Sequence, residues 1–289
     1  SYLSAGLRFD AQILSAGPLN KTGPGSLTLI GTASRTNEFT GGINVLGGQL
    51  WVNGGGNGAL GLSSNTVTLD NGGTLLVSGA NLTSGAGRNV VVGPGGGTVG
   101  TLSAGTTISL SGSLNGTGNL TKTFSGLYSQ TQGGTLSGNV ILRGGTFALE
   151  QRSGAMTNVP TWDLGTTMLH DSSRANVTNS GTGAIIVNHN NNNRLGDTAT
   201  VLSRGGELIV RGNMTNDTSE LVGTYQAAEG WSQITIQPNS NTATTVTFTN
   251  LTRSNEGGVI IRGSALGGVP GSGVANVVFT NPIPLVGGG

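Results

Sequence analysis

Gly47-Gly48-Gln49-Leu50-Trp51-Val52 returns, with variation, as Gly72-Gly73-Thr74-Leu75-Leu76-Val77, Gly144-Gly145-Thr146-Phe147-Ala148-Leu149, Gly205-Gly206-Glu207-Leu208-Ile209-Val210 and Gly257-Gly258-Val259-Ile260-Ile261-Arg262. Weaker copies start at Gly96 and Gly133. Gly47 to Gly72 is 25 residues and Gly72 to Gly96 is 24, which sets a period. That period falls in the roughly 20–50 residue range of stacked repeat architectures. Side chains alternate along each copy, so Leu50 and Val52 share one strand face, and Gln49 and Trp51 the other. The glycine pair turns with φ > 0 at no Cβ cost and supplies the corner that admits the strand. One corner and one strand cannot bury an apolar face. Stacked copies pair their strands and build one continuous core.

Composition alone leaves disorder open, because 54 of 289 residues are glycine and only 9% are charged. Without a G-x-y period the chain is not collagen-like. Yet 34% of residues are hydrophobic, and they gather in β-branched strings such as Val90-Val91-Val92, Ile185-Ile186-Val187 and Leu208-Ile209-Val210. Disordered tracts lack the hydrophobicity to bury such strings. No capped, amphipathic helix is readable. A longer repeat relates Leu60-Gly61 with Gly72-Gly73 to Leu195-Gly196 with Gly205-Gly206, about 133 residues on. Residues 1–18 carry one apolar strand. The stretch 151–183, with few strand strings and several charges, reads as a loop-rich lateral excursion. Asn188 to Asn193, interrupted by His189, reads as a surface loop, with an asparagine ladder as the alternative.

The net charge is +1, and no Lys/Arg cluster is present to release counterions from a phosphate backbone, so no nucleic-acid partner is expected. No run reaches the ~20 apolar residues that span a bilayer. Zero cysteine removes disulfides, thiolate metal sites and thiol catalysis together, and suits a chain that must cross an envelope unlocked. Ser1 is not an initiator methionine, which reads as a processed product or a segment of something longer.

From Leu19-Asn20-Lys21-Thr22-Gly23-Pro24-Gly25-Ser26-Leu27-Thr28-Leu29, through Phe39-Thr40-Gly41-Gly42-Ile43-Asn44-Val45, to Gly47-Gly48-Gln49-Leu50, the chain resembles the autotransporter-associated β-strand repeat. All four parts of that pattern occur in order over residues 19–61: a Lys-x-Gly-x-Gly turn, a Leu-Thr-Leu strand, an aromatic-Thr-Gly-Gly corner and a Gly-Gly-x-Leu strand. A degenerate copy runs from Leu120-Thr121-Lys122-Thr123-Phe124 to Gly144-Gly145-Thr146-Phe147, without the Gly-x-Gly turn. The resemblance implies a right-handed parallel β-helix on the cell surface of a Gram-negative-type bacterium. It implies no catalytic residues.

Some β-helices cleave polysaccharides, which needs two carboxyls flanking one bond. The twelve acids are scattered, and the closest pair, Asp217 and Glu220, sits in a polar string and reads as solvated turn residues. Asp163, His170 and Asp171 beside Trp162 form the most enzyme-like group. Trp162, His170, Asp171 and Trp231 make up a candidate ligand-contact patch. Two distant histidines supply no metal site, and no cofactor is expected. Gly93-Pro94-Gly95-Gly96-Gly97 lacks the Gly-Lys-Ser/Thr and the helix of a phosphate loop, and reads as a corner.

The expectation is one all-β, parallel β-solenoid domain over residues 1–289, with ~12 coils of about 24 residues rising ~4.8 Å each. Its core should hold Leu27, Leu29, Ile43, Val45, Leu50, Val52, Leu75, Val77, Val90, Val92, Phe147, Leu149, Leu208, Val210, Ile260, Val277 and Phe279. The function expected is extracellular and structural: a unit of a surface fibre stacked end to end with copies of itself or adjacent repeats. The alternatives are an adhesin passenger that binds surface glycans, and a polysaccharide-degrading enzyme.

Overall fold

The computed structural model describes residues 6–31, 36–54, 56–84, 87–153, 156–166, 184–188 and 193–283. Its strands pair in parallel and stack as a β-solenoid. Three sheets form its sides. The longest has 12 strands, from Leu7–Phe9 through Ser26–Ile30, Gln49–Asn53 and Gly73–Ser78 to Ala275–Phe279. A five-stranded sheet runs from Leu19–Lys21 to Leu114–Gly116, and an eight-stranded sheet from Leu82–Thr83 to Gly258–Gly263. Early coils therefore use the five-stranded side and later coils the eight-stranded side.

The stack makes about nine turns rather than the ~12 expected. Coil length is uneven: the coil from Trp162 to its partner Val201 takes 39 residues, where about 24 was assumed. Part of the stretch 151–183 is regular strand, since Thr146–Ser153 and Thr161–Thr166 belong to the eight-stranded and longest sheets. Residues 167–183, and 189–192 of the asparagine tract, lie outside the described residues.

The expected core positions from Leu27 to Val210 are buried, in one continuous cluster. Val277 and Phe279, on the last strand, are half-buried against it. Ile260 is a correction. It pairs with Gln233, while Ile261 pairs with buried Ile234 and, like Val259, packs against the core. The glycine pair at Gly257 stands one residue earlier in register than the pair at Gly205. Gly206 is followed directly by Glu207, whose column continues through Gln233 to Ile260. With a side-chain period of two, a one-residue slip exchanges the faces.

The glycine corner has a specific filling. Lys21 occupies a core-facing column with Val45 and Leu69, and its Nζ turns into the corner to donate to the carbonyls of Thr22, Gly23 and Gly47 at 2.8–3.0 Å. Lys122 repeats the arrangement one side further round. It pairs with Leu142, and its Nζ donates to Thr123, Phe124 and Gly144 at 2.8, 3.0 and 3.3 Å. The second glycine of each pair closes the cage. A Cβ on Gly48 would lie 2.7 Å from the Lys21 ammonium, and one on Gly145 would lie 2.8 Å from that of Lys122. The first corner joins the five-stranded and longest sheets, and the second joins the longest and eight-stranded sheets. The motif is thus a corner signal and is not tied to one sheet.

Phe124 stands where the first corner has Gly23, and both are left-handed, with φ of 61° and 72°. That conformation costs a non-glycine residue roughly 1–2 kcal/mol. Its ring lies partly exposed beside Gly100, where an added Cβ would lie 2.9 Å from both Phe124 and Leu76. Phe124→Gly should therefore change stability by less than about 1 kcal/mol, because relief of backbone strain offsets the packing that the half-exposed ring loses. Gly145→Ala should cost more than about 2 kcal/mol, since φ is 68° and the new Cβ meets carbonyl oxygens. Denaturant melts of the two variants beside wild type check this contrast.

Candidate functional site

The structure divides the four residues of the expected ligand patch. Trp162 is fully buried, its ring edge-on to Phe147 with centroids 5.7 Å apart, so it cannot serve as a surface platform. Its place in the strand Thr161–Thr166 puts it in the core-facing column with Val140 and Val201. His170 and Asp171 lie outside the described residues. Asp163 is nearly buried and accepts from Arg204 at 2.8 Å and Arg143 at 3.4 Å, a cross-coil ion pair that ties three coils together. Among the described residues no three of His, Asp and Glu gather where a metal ion could sit.

Trp231 is the member that reaches solvent, at 64% exposure. It opens the strand Trp231–Gln237 of the eight-stranded sheet and pairs with Gly258 on the next coil. A Cβ on Gly258 would lie 2.7–3.2 Å from three atoms of the six-membered ring, so only glycine lets the indole rest on the neighbouring backbone. The ring borders an open depression of about 270 Å³ at the corner between two sheets. Leu251, Thr252 and Arg253 of the longest sheet form one wall, and Glu256, Gly257 and Val259 the other. Asn255 and Glu256 are both left-handed, with φ of 44° and 59°, and the turn closes through Gly257 N donating to Ser254 O at 2.8 Å. Arg253 and Glu256 were not singled out by sequence reasoning. The signal that could have found them is Asn255-Glu256-Gly257-Gly258, a turn signature directly before the strand start.

A larger depression, about 500 Å³, is lined by Thr36, Asn37, Glu38 and Thr40 on one side and by Asn57, Gly58, Gly61, Leu62 and Ser63 on the other. Its amide Asn37 is already engaged, accepting from Ile13 N at 2.8 Å and donating to Ala59 O at 2.8 Å. That hollow is a seam between coils.

Of the closest acidic pair, Asp217 is exposed and accepts from Ala243 N at 2.8 Å, but Glu220 is fully buried. Reading both as solvated turn residues therefore fails for Glu220. The alternation of the ten-residue strand Thr218–Ala227 points it inward. There its carboxyl accepts from Leu195 N at 2.7 Å and Arg194 N at 3.0 Å, amides of an irregular segment with no strand partner. Burial pushes its pKa up to about 7, against the pull of those two amides and the nearby Arg194 charge.

The described strands form a parallel β-solenoid, and part of its sequence has a recognisable relative. Over 131 residues the chain is 34% identical to a protein described as Adhesin BmaC autotransporter, from Brucella suis biovar 1 (strain 1330). The match covers 42% of this chain and 4% of that much longer protein. No protein-family model matches the chain. No solved structure matches it either. No helix among the described residues is long and apolar enough to cross a membrane.

The Glu220 carboxyl carries a signed pH dependence. Its folded pKa of about 7 lies above the ordinary 4.5, so the folded state binds the extra proton between those values. The stabilisation from that proton is complete below pH 4.5 and is lost as pH rises to 7. Glu220→Gln, neutral at every pH, should gain on wild type by about 2–4 kcal/mol between pH 4.5 and pH 8. Thermal melts of both proteins across this range test it. A constant difference would mean that Arg194 and the amides keep the carboxylate ionised.

Proposed function

We propose that this chain is a rigid extracellular stretch of an autotransporter-type surface protein, built from autotransporter-associated β-strand repeats, and that its coils stack end to end into a fibre. The observation that carries the stacking is the state of the two ends. Leu7 and Phe9 pair with buried Leu27 and Leu29, yet are 59% and 38% exposed themselves. At the other end Phe279 is stacked on Phe248 at 5.8 Å and is only half-buried. Core-facing positions left open on a parallel edge are a template for another coil. Adjacent repeats of the same protein or a second copy would cover them. The similarity to an adhesin and the solenoid fold support a surface location and a non-enzymatic role. The commitment of Asp163 to Arg204 and Arg143 speaks against the polysaccharide-cleaving alternative.

Two measurements test the reading. Antibody raised to the purified chain should label intact cells of the producing bacterium, and protease added outside those cells should remove the signal. Sedimentation of the purified chain should show association that rises with concentration, and charge at the open edge (Leu7→Lys with Phe9→Lys) should weaken it. A chain that stays monomeric at the highest attainable concentration would sink the fibre assignment.

A further inference from the structure

Trp162 is in the core, whereas Trp231 is 64% exposed and its ring lies over Gly258 at the edge of the depression. The turn beside it holds Glu256 left-handed at φ 59°, a conformation in which glycine would be unstrained. Backbone strain of this kind is kept where surrounding structure imposes it, commonly at ligand sites. The depression so formed offers one flat aromatic face, one guanidinium from Arg253 and one carboxylate from Glu256.

We propose that the Trp231 corner binds a neutral pyranose of an oligosaccharide. The proposal rests on the surface reading above, because that is where this chain would meet glycans. The apolar C–H face of a sugar ring stacks on an exposed indole, which combines an apolar body with a polar tip. Its hydroxyls both donate and accept, so one can give to Glu256 while another takes from Arg253. A nucleobase would also stack, but its phosphates would want the basic groove that this corner, with its carboxylate, does not provide. An apolar peptide segment would need a larger greasy surface than the ring, Ala227, Leu251 and Val259 present in a depression of about 270 Å³. The opposite charges at the rim favour a neutral sugar over an acidic one.

The test uses the purified 289-residue chain on an array of neutral and acidic oligosaccharides, of both bacterial-envelope and host-cell types, with hits followed by titration of tryptophan emission. Wild type should bind neutral members, and the type bound identifies the source. Trp231→Ala should weaken binding at least about tenfold. Gly258→Val, which keeps the ring but lifts it from its bed, should weaken it similarly. Unchanged melting temperatures would show that both variants fold. Binding of no sugar, binding of acidic sugars alone, or affinity unchanged in Trp231→Ala would each overturn the proposal. These readouts need no cell, so surface display can fail while sugar binding holds, and the reverse.

Discussion

The ammonium of Lys122, caged by three carbonyls in a corner that only glycine can close, carries the constraint on which the stack depends. A coil must turn between sheets, and at these two corners three backbone carbonyls turn toward the lysine side chain. Left unmet, buried groups of this kind cost as much as lost hydrogen bonds. A lysine supplies three donors to three acceptors, and its methylenes fill the column position that Leu142 fills on the next coil. Burial pulls the Lys122 pKa down to about 7, and the three acceptors favour the charged form in return. Corner and core are closed by one side chain. These are the only two lysines in the chain, and both do this.

The same logic explains where the rest of a sparse charge content goes. Arg88 is fully buried and uses its guanidinium on Asn57 Oδ1 and on the carbonyls of Leu60, Asn65, Gly61 and Leu62. Those residues form the short 3-10 turn and bend where the early coils have no third strand. Glu220 does the converse for the amides of Arg194 and Leu195. Cations meet stray carbonyls, and a carboxyl meets stray amides. The outer surface also carries neutral polar ladders, such as Asn44 donating to Asn20 and Asn281 donating to Asn250.

This division decides what could be read in advance. Alternation and glycine corners report local geometry, so the all-β solenoid and the core from Leu27 to Val210 were legible. Turn count and side were not, because one corner type serves two different sheet junctions and coil length varies from 19 residues, Tyr128 to Phe147, to 39, Trp162 to Val201. Ile260 was assigned to the wrong face because its glycine pair is one residue out of register. Glu220 and Trp162 failed for a shared reason. Polarity and aromatic size were read as surface signals, whereas the strand column decides which way a side chain points, and columns appear only once coils are paired. Trp231 was legible as a candidate, but its partners Arg253 and Glu256 come from another sheet edge and a turn.

A solenoid whose coils touch only their neighbours has nearly additive stability, so a change at one corner stays local. The core columns tolerate little, as the one-residue slip at Ile260 illustrates. Away from the closing glycines Gly48 and Gly145, corner positions vary: one holds Gly23, its counterpart holds Phe124 at the same left-handed geometry, and a third carries Asn255 and Glu256. Strain at a corner is borne by two flanking coils and need not propagate along the rod. Corners are therefore where a structural stack can acquire a recognition surface without altering the core that keeps it rigid. The Trp231 corner has that form, with a glycine bed from one coil, an aromatic face from the next, and its charged rim from the turn between them.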